Sequence, residues 1–502
     1  MSSLVAKKAF LAGVTCRTQG WYVHHAPAEI PGPGLQWRFW IGADVHEKAR
    51  AWLGGANAAG APGAPGAPGA GTMLRRTPVD AAAADTQAAI TTSFESLLFE
   101  ATFIWNGLVA RADAIRPAGT AWDLIEVKSG KSPGEDDKLK QEYVDDLAYT
   151  QMVAHGAGLR ISRALLVLIN RDYRLNGPAE MFAYVDITDA VNARATEFAT
   201  IAGDVASKVA APERPEPEFI FACKDCPFFA TDCLGVGVRD PLFIIPRISA
   251  RKFAALKVYA RIADLPTDAD LTAIQRGVVD VIQGGRPRVD LDALQVLDQL
   301  KWPVYYLDFE AVNPALPWFE EVPPHEMIPF QYSLHVLEAP DAAPKHLEFL
   351  AATDGDWRLL MTNTLLRDLG PPGTDGSIVV YSSFEKARLK ALAQAFPTLE
   401  PQINAVLDRL FDLEPVFKNG YQHPGFLGRT SIKKVLPVMV PELSYKTLAV
   451  NNGDDALSVF ALMRVGAMDA EHVPVQRKQL LEYCKLDTYA MVRLHQAAAK
   501  LR

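Results

Sequence analysis

The chain has 502 residues, too many for one ordinary hydrophobic core, so two or three domains are expected. Its apolar content of 49% and charged content of 22% are those of a water-soluble globular protein, and no apolar run approaches the ~18 residues needed to span a bilayer. A net charge of −8 excludes a generally basic nucleic-acid coat but suits acidic metal sites, whose cations offset the charge locally.

Five cysteines are too few for a disulfide scaffold, and the odd number leaves one unpaired, so a reducing, cytoplasmic setting is expected. The segment Lys7-Lys8-Ala9-Phe10-Leu11-Ala12-Gly13-Val14 imitates a signal peptide, but its apolar run is short and no small-residue cleavage site follows. Cys16 and Gly42-x3-His46-Glu47 come next. The Gly-Ala-Pro repeat at 60–69 is low in complexity and reads as a mobile loop inside the first domain. Over 97–128, apolar and polar residues alternate in three stretches, and Asn106-Gly107 between the first two signals a tight hairpin. A three-stranded meander is predicted, with Asp113 on its second strand and Glu126 and Lys128 on its third. Helical periodicity over 137–158 and a buried strand at 164–169 complete a mixed-sheet α/β core.

A stiff charged connector, Pro212-Glu213-Arg214-Pro215-Glu216-Pro217-Glu218, precedes Cys223, Cys226 and Cys233, spaced C-x2-C-x6-C. Residues 245–300 read as helical, with Arg247, Arg251, Lys252, Lys257 and Arg261 forming a solvated basic face. Strands are predicted from Val304, across 326–336 and 345–350, and at 377–381; helices at 384–395, 455–465 and 475–499. No internal repeat with a period of about 20–50 residues is visible.

Alternate residues of a strand share a face, so Glu126 and Lys128 point together toward a carboxylate on the neighbouring strand. Two carboxylates can hold Mg2+ or Mn2+, which polarises a phosphate and activates a water. Lys128 would help deprotonate that water or stabilise the developing charge. A nitrogen ligand from His46 would favour Mn2+. Glu126 and Lys128 as an exposed ion pair is the competing reading, because a lone E-x-K is a weak signal. Taken in order, Gly42-x3-His46, Asp113, Glu126-Val127-Lys128-Ser129-Gly130 and Tyr149-x-Gln151 resemble the motifs of RecB-type PD-(D/E)xK nucleases over residues 1–235. The resemblance implies His46, Asp113 and Glu126 as metal ligands, Lys128 as the catalytic lysine and Gln151 on a helix beside the site. Gln151-x3-His155 stands where that family commonly has Gln-x3-Tyr.

Four thiolates can bind zinc or an iron–sulfur cluster, and spacing alone does not decide between them. Cys16 precedes the nuclease-like core and Cys223, Cys226 and Cys233 follow it. That bracketing, with Lys8-x2-Leu11-x4-Cys16, resembles the iron–sulfur branch of RecB-type nucleases, including CRISPR-associated exonucleases and the AddB-type helicase subunit. It implies a 4Fe-4S cluster that closes a long loop and so stabilises the domain. Cys484 is expected to be an ordinary core thiol.

In Leu307-Asp308-Phe309-Glu310 the two acids share a strand face; Tyr483 and Asp487 share a helix face. Together they resemble the tyrosine subclass of DEDD (DnaQ-type) 3′–5′ exonucleases over residues 302–502. The resemblance implies two metal ions about 4 Å apart held by Asp308, Glu310 and Asp487, with Tyr483 orienting water. Glu385, in Tyr381-Ser382-Ser383-Phe384-Glu385, stands where that family has aspartate; Asp412 is a further acid nearby. The same stretch resembles a bacterial domain family of unknown function through Tyr306-Leu307-Asp308-Phe309-Glu310, Ile328-Pro329-Phe330-Gln331-Tyr332-Ser333-Leu334-His335, Ser431-Ile432-Lys433-Lys434-Val435-Leu436-Pro437 and Tyr483-Cys484-x2-Asp487-Thr488. Lys433-Lys434 is read either as a phosphate contact or as a solvated turn.

The expected architecture is a PD-(D/E)xK mixed-sheet nuclease domain at 1–240, a helical connector at 241–301 and an RNase H-like (DnaQ-type) α/β domain at 302–502. The expected function is metal-dependent hydrolysis at two sites, processing nucleic-acid ends, DNA before RNA, in repair, recombination or defence. The chain has no G-x4-G-K-[S/T] loop, so unwinding would fall to a helicase or another repair or defence partner. The alternatives are a non-catalytic nucleic-acid-binding or assembly module with decayed sites, and a zinc-stabilised structural protein.

Overall fold

The turn at Asn106-Gly107 sets the register of the first sheet. Both residues have positive φ, +52° and +78°, as a type I′ hairpin turn requires. The computed structural model describes residues 4–27, 31–55, 71–92 and 96–502, so the Gly-Ala-Pro repeat lies outside the described residues. The chain is mixed α/β and divides into two units. The first comprises Met1–Ile30, Arg38–Val236 and Pro314–Glu326; the second comprises Pro31–Trp37, Gly237–Asn313 and Met327–Arg502.

The elements that build the first unit's sheet and its cover are β1 (Val5–Ala6), α1 (Lys7–Thr15), α2 (Arg17–His25), α3 (Pro33–Gly54), β2 (Thr72–Met73), α4 (Val79–Thr92), β3 (Leu98–Trp105), β4 (Leu108–Ala118), β5 (Ala121–Lys131), α5 (Gln141–Gly156), β6 (Ile161–Ile169), β7 (Phe182–Asp186), α6 (Thr188–Val209) and α7 (Phe229–Asp232). Strand order is β2-β3-β4-β5-β6-β7, with β1 added parallel to β4. β3, β4 and β5 are antiparallel neighbours, and α5 is the crossover that lets β6 lie parallel to β5. Phe10 of α1, Leu147 and Tyr149 of α5 and Phe198 of α6 bury one set of strand residues, including Leu124 and Leu166. Val45, Ala49 and Leu53 of α3 bury another, including Ile125, Val127 and Val167. Each such side chain contributes about 1.5–3 kcal/mol on burial. Asp123, fully buried on β5, is held by Arg163 at 2.6 Å and Arg116 at 3.1 Å.

In the second unit, α8 (Ala250–Leu256), α9 (Ala273–Gly284), β8 (Arg288–Val289) and α10 (Leu291–Leu294) precede the main sheet. The helical expectation for 245–300 holds only in these short pieces. Pro246, Pro266, Gly285 and Pro287 interrupt it, since proline cannot continue a helix and Gly285 ends α9 at φ +61°. Then come β9 (Val304–Val312), β10 (Ile328–Leu337), β11 (Lys345–Leu350), α11 (Arg358–Leu369), β12 (Ser377–Val380), α12 (Phe384–Ala395), α13 (Glu400–Leu407), β13 (Leu410–Asp412), β14 (Tyr421–Gln422), α14 (Ile432–Met439), α15 (Gly453–Arg464) and α16 (Val473–Ala499). The sheet runs β11-β10-β9-β12-β13: β9 to β11 are antiparallel, and β12 and β13 lie parallel to β9. α16 packs on β9 and β10, where Gln331 Nε2 donates to the Leu480 carbonyl at 2.8 Å and Thr488 meets Ser333 and His335 at 2.7 Å. Among the described residues, no helix is long and apolar enough to cross a membrane.

Candidate functional site

Asp113 on β4 and Glu126 on β5 come together as predicted. Asp113 Oδ2 accepts the Val127 N–H at 2.7 Å, and His46 Nδ1 of α3 lies 3.7 Å from Asp113 Oδ1. Lys128 Nζ donates to Glu126 Oε1 at 3.0 Å and also contacts Asp146 of α5. A second lysine enters from α1: Lys7 Nζ donates to the same Glu126 oxygen at 3.0 Å and lies 3.6 Å from Asp146 Oδ1. Burial works to raise Glu126, but Lys7 and Lys128 overcome it and hold this carboxyl down at about 2. At Asp113 the balance is reversed: burial and the Glu126 charge outweigh the Val127 N–H and the more weakly acting Lys7 and Lys128, and push it up to about 8. Glu126 Oε2 is buried without a hydrogen-bond partner, but His46, Asp113 and Glu126 are not among the groups of three potential ligand atoms that lie mutually within 4.8 Å among the described residues.

Gln151 is on α5 as expected, but its Nε2 donates to Asn192 of α6 at 2.7 Å; Asp146 is the α5 residue that meets Lys128. Sequence reasoning also missed Glu100. The two-residue turn pairs Trp105 with Leu108, and that register sets Glu100 of β3 between the Phe99–Ala114 and Ala101–Ala112 pairs, at the level of Asp113. The spacing from Asn106-Gly107 carried this signal. Nothing local marked Lys7, whose partners lie more than a hundred residues away.

The four cysteines of the bracketing set are free thiols. Burial pushes the Cys223 thiol up, and Cys16, Cys226 and Cys233 add to the effect, so all four groups face one another electrostatically. The flanking segments are joined through Thr18 to the Pro215 carbonyl at 3.2 Å, Trp21 to Ala211 at 2.8 Å and Tyr22 to Asp232 at 2.5 Å. Two groups of three potential ligand atoms lie mutually within 4.8 Å among the described residues, and neither includes a cysteine or the expected first-site ligands His46, Asp113 and Glu126.

One of these groups is Asp308, Glu310 and Asp487. Asp308 and Glu310 project from β9 and Asp487 from α16, and all three, with Tyr483, line a cavity of about 260 Å3. Burial first, then repulsion from Asp487 and after it from Glu385, push Asp308 and Glu310 well above the usual carboxylate range. Burial also raises Asp487, to about 6, against hydrogen bonds from Tyr445 and Tyr483. Glu385, at the start of α12, stands outside that close trio but within its field. Burial raises it to about 8, the Phe309 N–H binds its carboxylate, and its Oε2 has no hydrogen-bond partner. Four carboxyls that cannot all ionise together fit divalent cations.

Asp412 serves the turn instead, accepting the N–H groups of Ser382 at 2.9 Å and Glu414 at 3.0 Å. Cys484 is buried, but it is more than a core thiol: its Sγ lies 3.5 Å from Asp308 Oδ2. Sequence reasoning also missed Tyr445, whose hydroxyl donates to Asp487 Oδ1 at 2.6 Å. Of the two lysines on α14, Lys433 faces the site. Its Nζ lies 5.2 Å from the Tyr483 ring centre and 5.5 Å from that of Tyr445, and its charge lowers Glu310 and Asp487.

Residues 305–431 match a family described as Domain of unknown function (DUF2779), a span that holds Asp308, Glu310 and Glu385 but not Tyr483 or Asp487. The chain is also 27% identical over 219 residues to a Mycoplasma pneumoniae protein named "Uncharacterized protein MG366 homolog", covering 40% of this chain and 32% of that protein's length. No solved structure matches the chain.

Proposed function

We propose that the protein is a metal-dependent nuclease with two hydrolytic sites, acting on DNA ends. The observation that carries the reading is the trio of half-buried Asp308 and buried Glu310 and Asp487, whose ligand atoms converge within 4.8 Å beside an open cavity. Divalent ions bound there would supply Lewis-acid polarisation of a phosphodiester and a water of lowered pKa. Tyr483 would orient that water, and Lys433 would meet the anionic substrate. The strand order β11-β10-β9-β12-β13, with a helix carrying Tyr483 and Asp487 across it, supports an RNase H-like (DnaQ-type) reading of 302–502.

For the first unit, the β3–β4–β5 meander followed by α5 and β6 supports the PD-(D/E)xK reading, with Asp113, Glu126 and His46 as ligands and Lys128 on the reacting phosphate. For the thiols, the placing of Cys16 before the sheet and of Cys223, Cys226 and Cys233 after it supports a 4Fe-4S group, with zinc as the alternative that metal analysis would decide.

The test is Mn2+-dependent digestion of end-labelled single- and double-stranded DNA by wild type, Lys128→Ala and Asp308→Ala. Each substitution should remove one activity and leave the other. Wild-type protein that cleaves neither substrate would sink the reading. Glu385 in place of aspartate favours a second reading, a nucleic-acid-binding module whose second site has lost its rate; that protein would bind the labelled DNA without shortening it from the 3′ end.

A further inference from the structure

We propose that Arg50, Arg76 and Arg111 form a phosphate-binding subsite beside the first carboxylate cluster, taking a backbone phosphodiester of a nucleic-acid strand. The proposal rests on the nuclease reading of that cluster and names how the strand would be held.

Three guanidinium groups from three separate elements converge on one carboxylate. Arg50 of α3, Arg76 between β2 and α4, and Arg111 of β4 lie 3.9, 3.4 and 3.9 Å from Glu100. The Glu100 side chain is 9% exposed, whereas those of Arg50, Arg76 and Arg111 are 30, 65 and 28% exposed. One negative charge thus faces three positive ones in a protein whose net charge is −8. A network built only to hold the fold looks different in this same sheet, where Arg163 and Arg116 clamp Asp123 at 2.6 and 3.1 Å. Arg50 and Arg76 stand farther off and more open to solvent, while Arg111 also donates to Thr102 Oγ1 at 3.3 Å and to the Arg76 carbonyl at 2.8 Å, so it fixes the Arg76 backbone beside a carboxylate that offsets the arginines' mutual repulsion until a second anion arrives.

The position fits a substrate contact. Glu100 falls between the Phe99–Ala114 and Ala101–Ala112 pairs that flank Asp113 on the β3–β4 ladder, and Arg111 lies two residues before Asp113 on the same strand. Glu100 and Arg50 both act electrostatically on His46, which lies 3.7 Å from Asp113. A phosphate here would adjoin the one reaching the candidate cation ligands. Glu100 has φ +63°, a conformation rarely adopted by residues with a Cβ and concentrated at functional sites. Arginine's planar fork suits phosphate oxygens.

The test uses the full chain with Ca2+ and fluorescein-labelled single-stranded and duplex oligonucleotides, read by anisotropy between about 50 and 200 mM salt. Arg50→Ala/Arg76→Ala should weaken binding by about tenfold and flatten the salt dependence by roughly 0.7–0.9 log unit per lost contact. Arg50→Lys/Arg76→Lys should recover most of the slope, and the Mn2+-induced rise in melting temperature should match wild type in both variants. An alanine variant with wild-type affinity and slope overturns the proposal while leaving the nuclease reading intact. Loss of the Mn2+ response in the alanine variant, without recovery by lysine, also overturns it, because the arginines would then serve folding. Wild-type protein that binds through these arginines yet never cleaves supports the subsite and removes the nuclease reading. Wild type that binds neither oligonucleotide overturns both.

Discussion

Lys7 Nζ and Glu126 Oε1 are 3.0 Å apart although 119 residues separate them in the chain. Lys128 reaches the same oxygen at the same distance, so one buried carboxylate is held by two ammonium groups. Lys7→Ala should therefore cost about 1.5–3 kcal/mol, the usual worth of a hydrogen bond to a charged group. Exposed Lys8→Ala is the control and should cost little. Glu126 is depressed to about 2, so its contribution is present above the unfolded carboxyl value of 4.5 and lost as pH falls through about 2. Urea melts at pH 7 and pH 3 should show the Lys7→Ala penalty shrinking at the lower pH.

The second acidic cluster behaves in the opposite sense. Asp308, Glu310, Glu385 and Asp487 are all raised, Asp487 to about 6 and Glu385 to about 8. Folded protein then holds more protons than unfolded protein between pH 4 and these values, so metal-free stability should fall as pH rises through that window. Melting temperature from pH 5 to pH 8 should drop more steeply in wild type than in Asp308→Asn. Added Mn2+ should reverse the loss at pH 8, because it binds only the folded site. A slope identical in the two proteins would remove the cluster from the account.

Tyr445 and Tyr483 do different work. The Tyr445 hydroxyl donates to Asp487 and favours its ionised form. Tyr445→Phe should shift the acid limb of the pH–rate profile upward and weaken Mn2+ binding. Tyr483→Phe should keep the Mn2+-induced stabilisation and slow 3′–5′ hydrolysis by about 100-fold or more, the range for a positioned acid–base group. Glu385→Asp should leave that hydrolysis equal or faster if Glu385 is a ligand.

The thiols give a compositional prediction. Cys16→Ser or Cys226→Ser, purified without oxygen, should lose iron and the broad absorbance near 400 nm, and the first unit should become protease-sensitive. Wild-type protein carrying zinc and no iron would defeat the 4Fe-4S reading.

Asp123 tests the first sheet independently of any site. It is fully buried between Arg163 and Arg116. Asp123→Ala strands two guanidinium groups and should cost about 3–5 kcal/mol, measured by urea unfolding. Mn2+ binding at the second unit's acids should be unaffected.

Strand positions were legible wherever period-two alternation met a turn signal. Asn106-Gly107 located β3 and β4, and the alternation placed Asp113, Glu126 and Lys128 on the correct strands. The same turn held the level of Glu100 on β3, which follows from counting back through it. Asp308, Glu310, Tyr483 and Asp487 were legible because their spacing on a strand and a helix fixes which side chains share a face. Lys7, Asp146, Tyr445 and Cys484 were not, because their roles depend on pairings between distant elements that no local pattern encodes. The span 245–300 misled through its helical composition, which its prolines and glycine overrode.

α1 begins with Lys7, in the acid cluster, and Cys16 follows directly after its last residue, Thr15. Nine helical residues span about 13 Å, so this helix is a rigid strut between the thiol group and the carboxylates. The thiol end and the acid end of the first unit are therefore held apart by a single element.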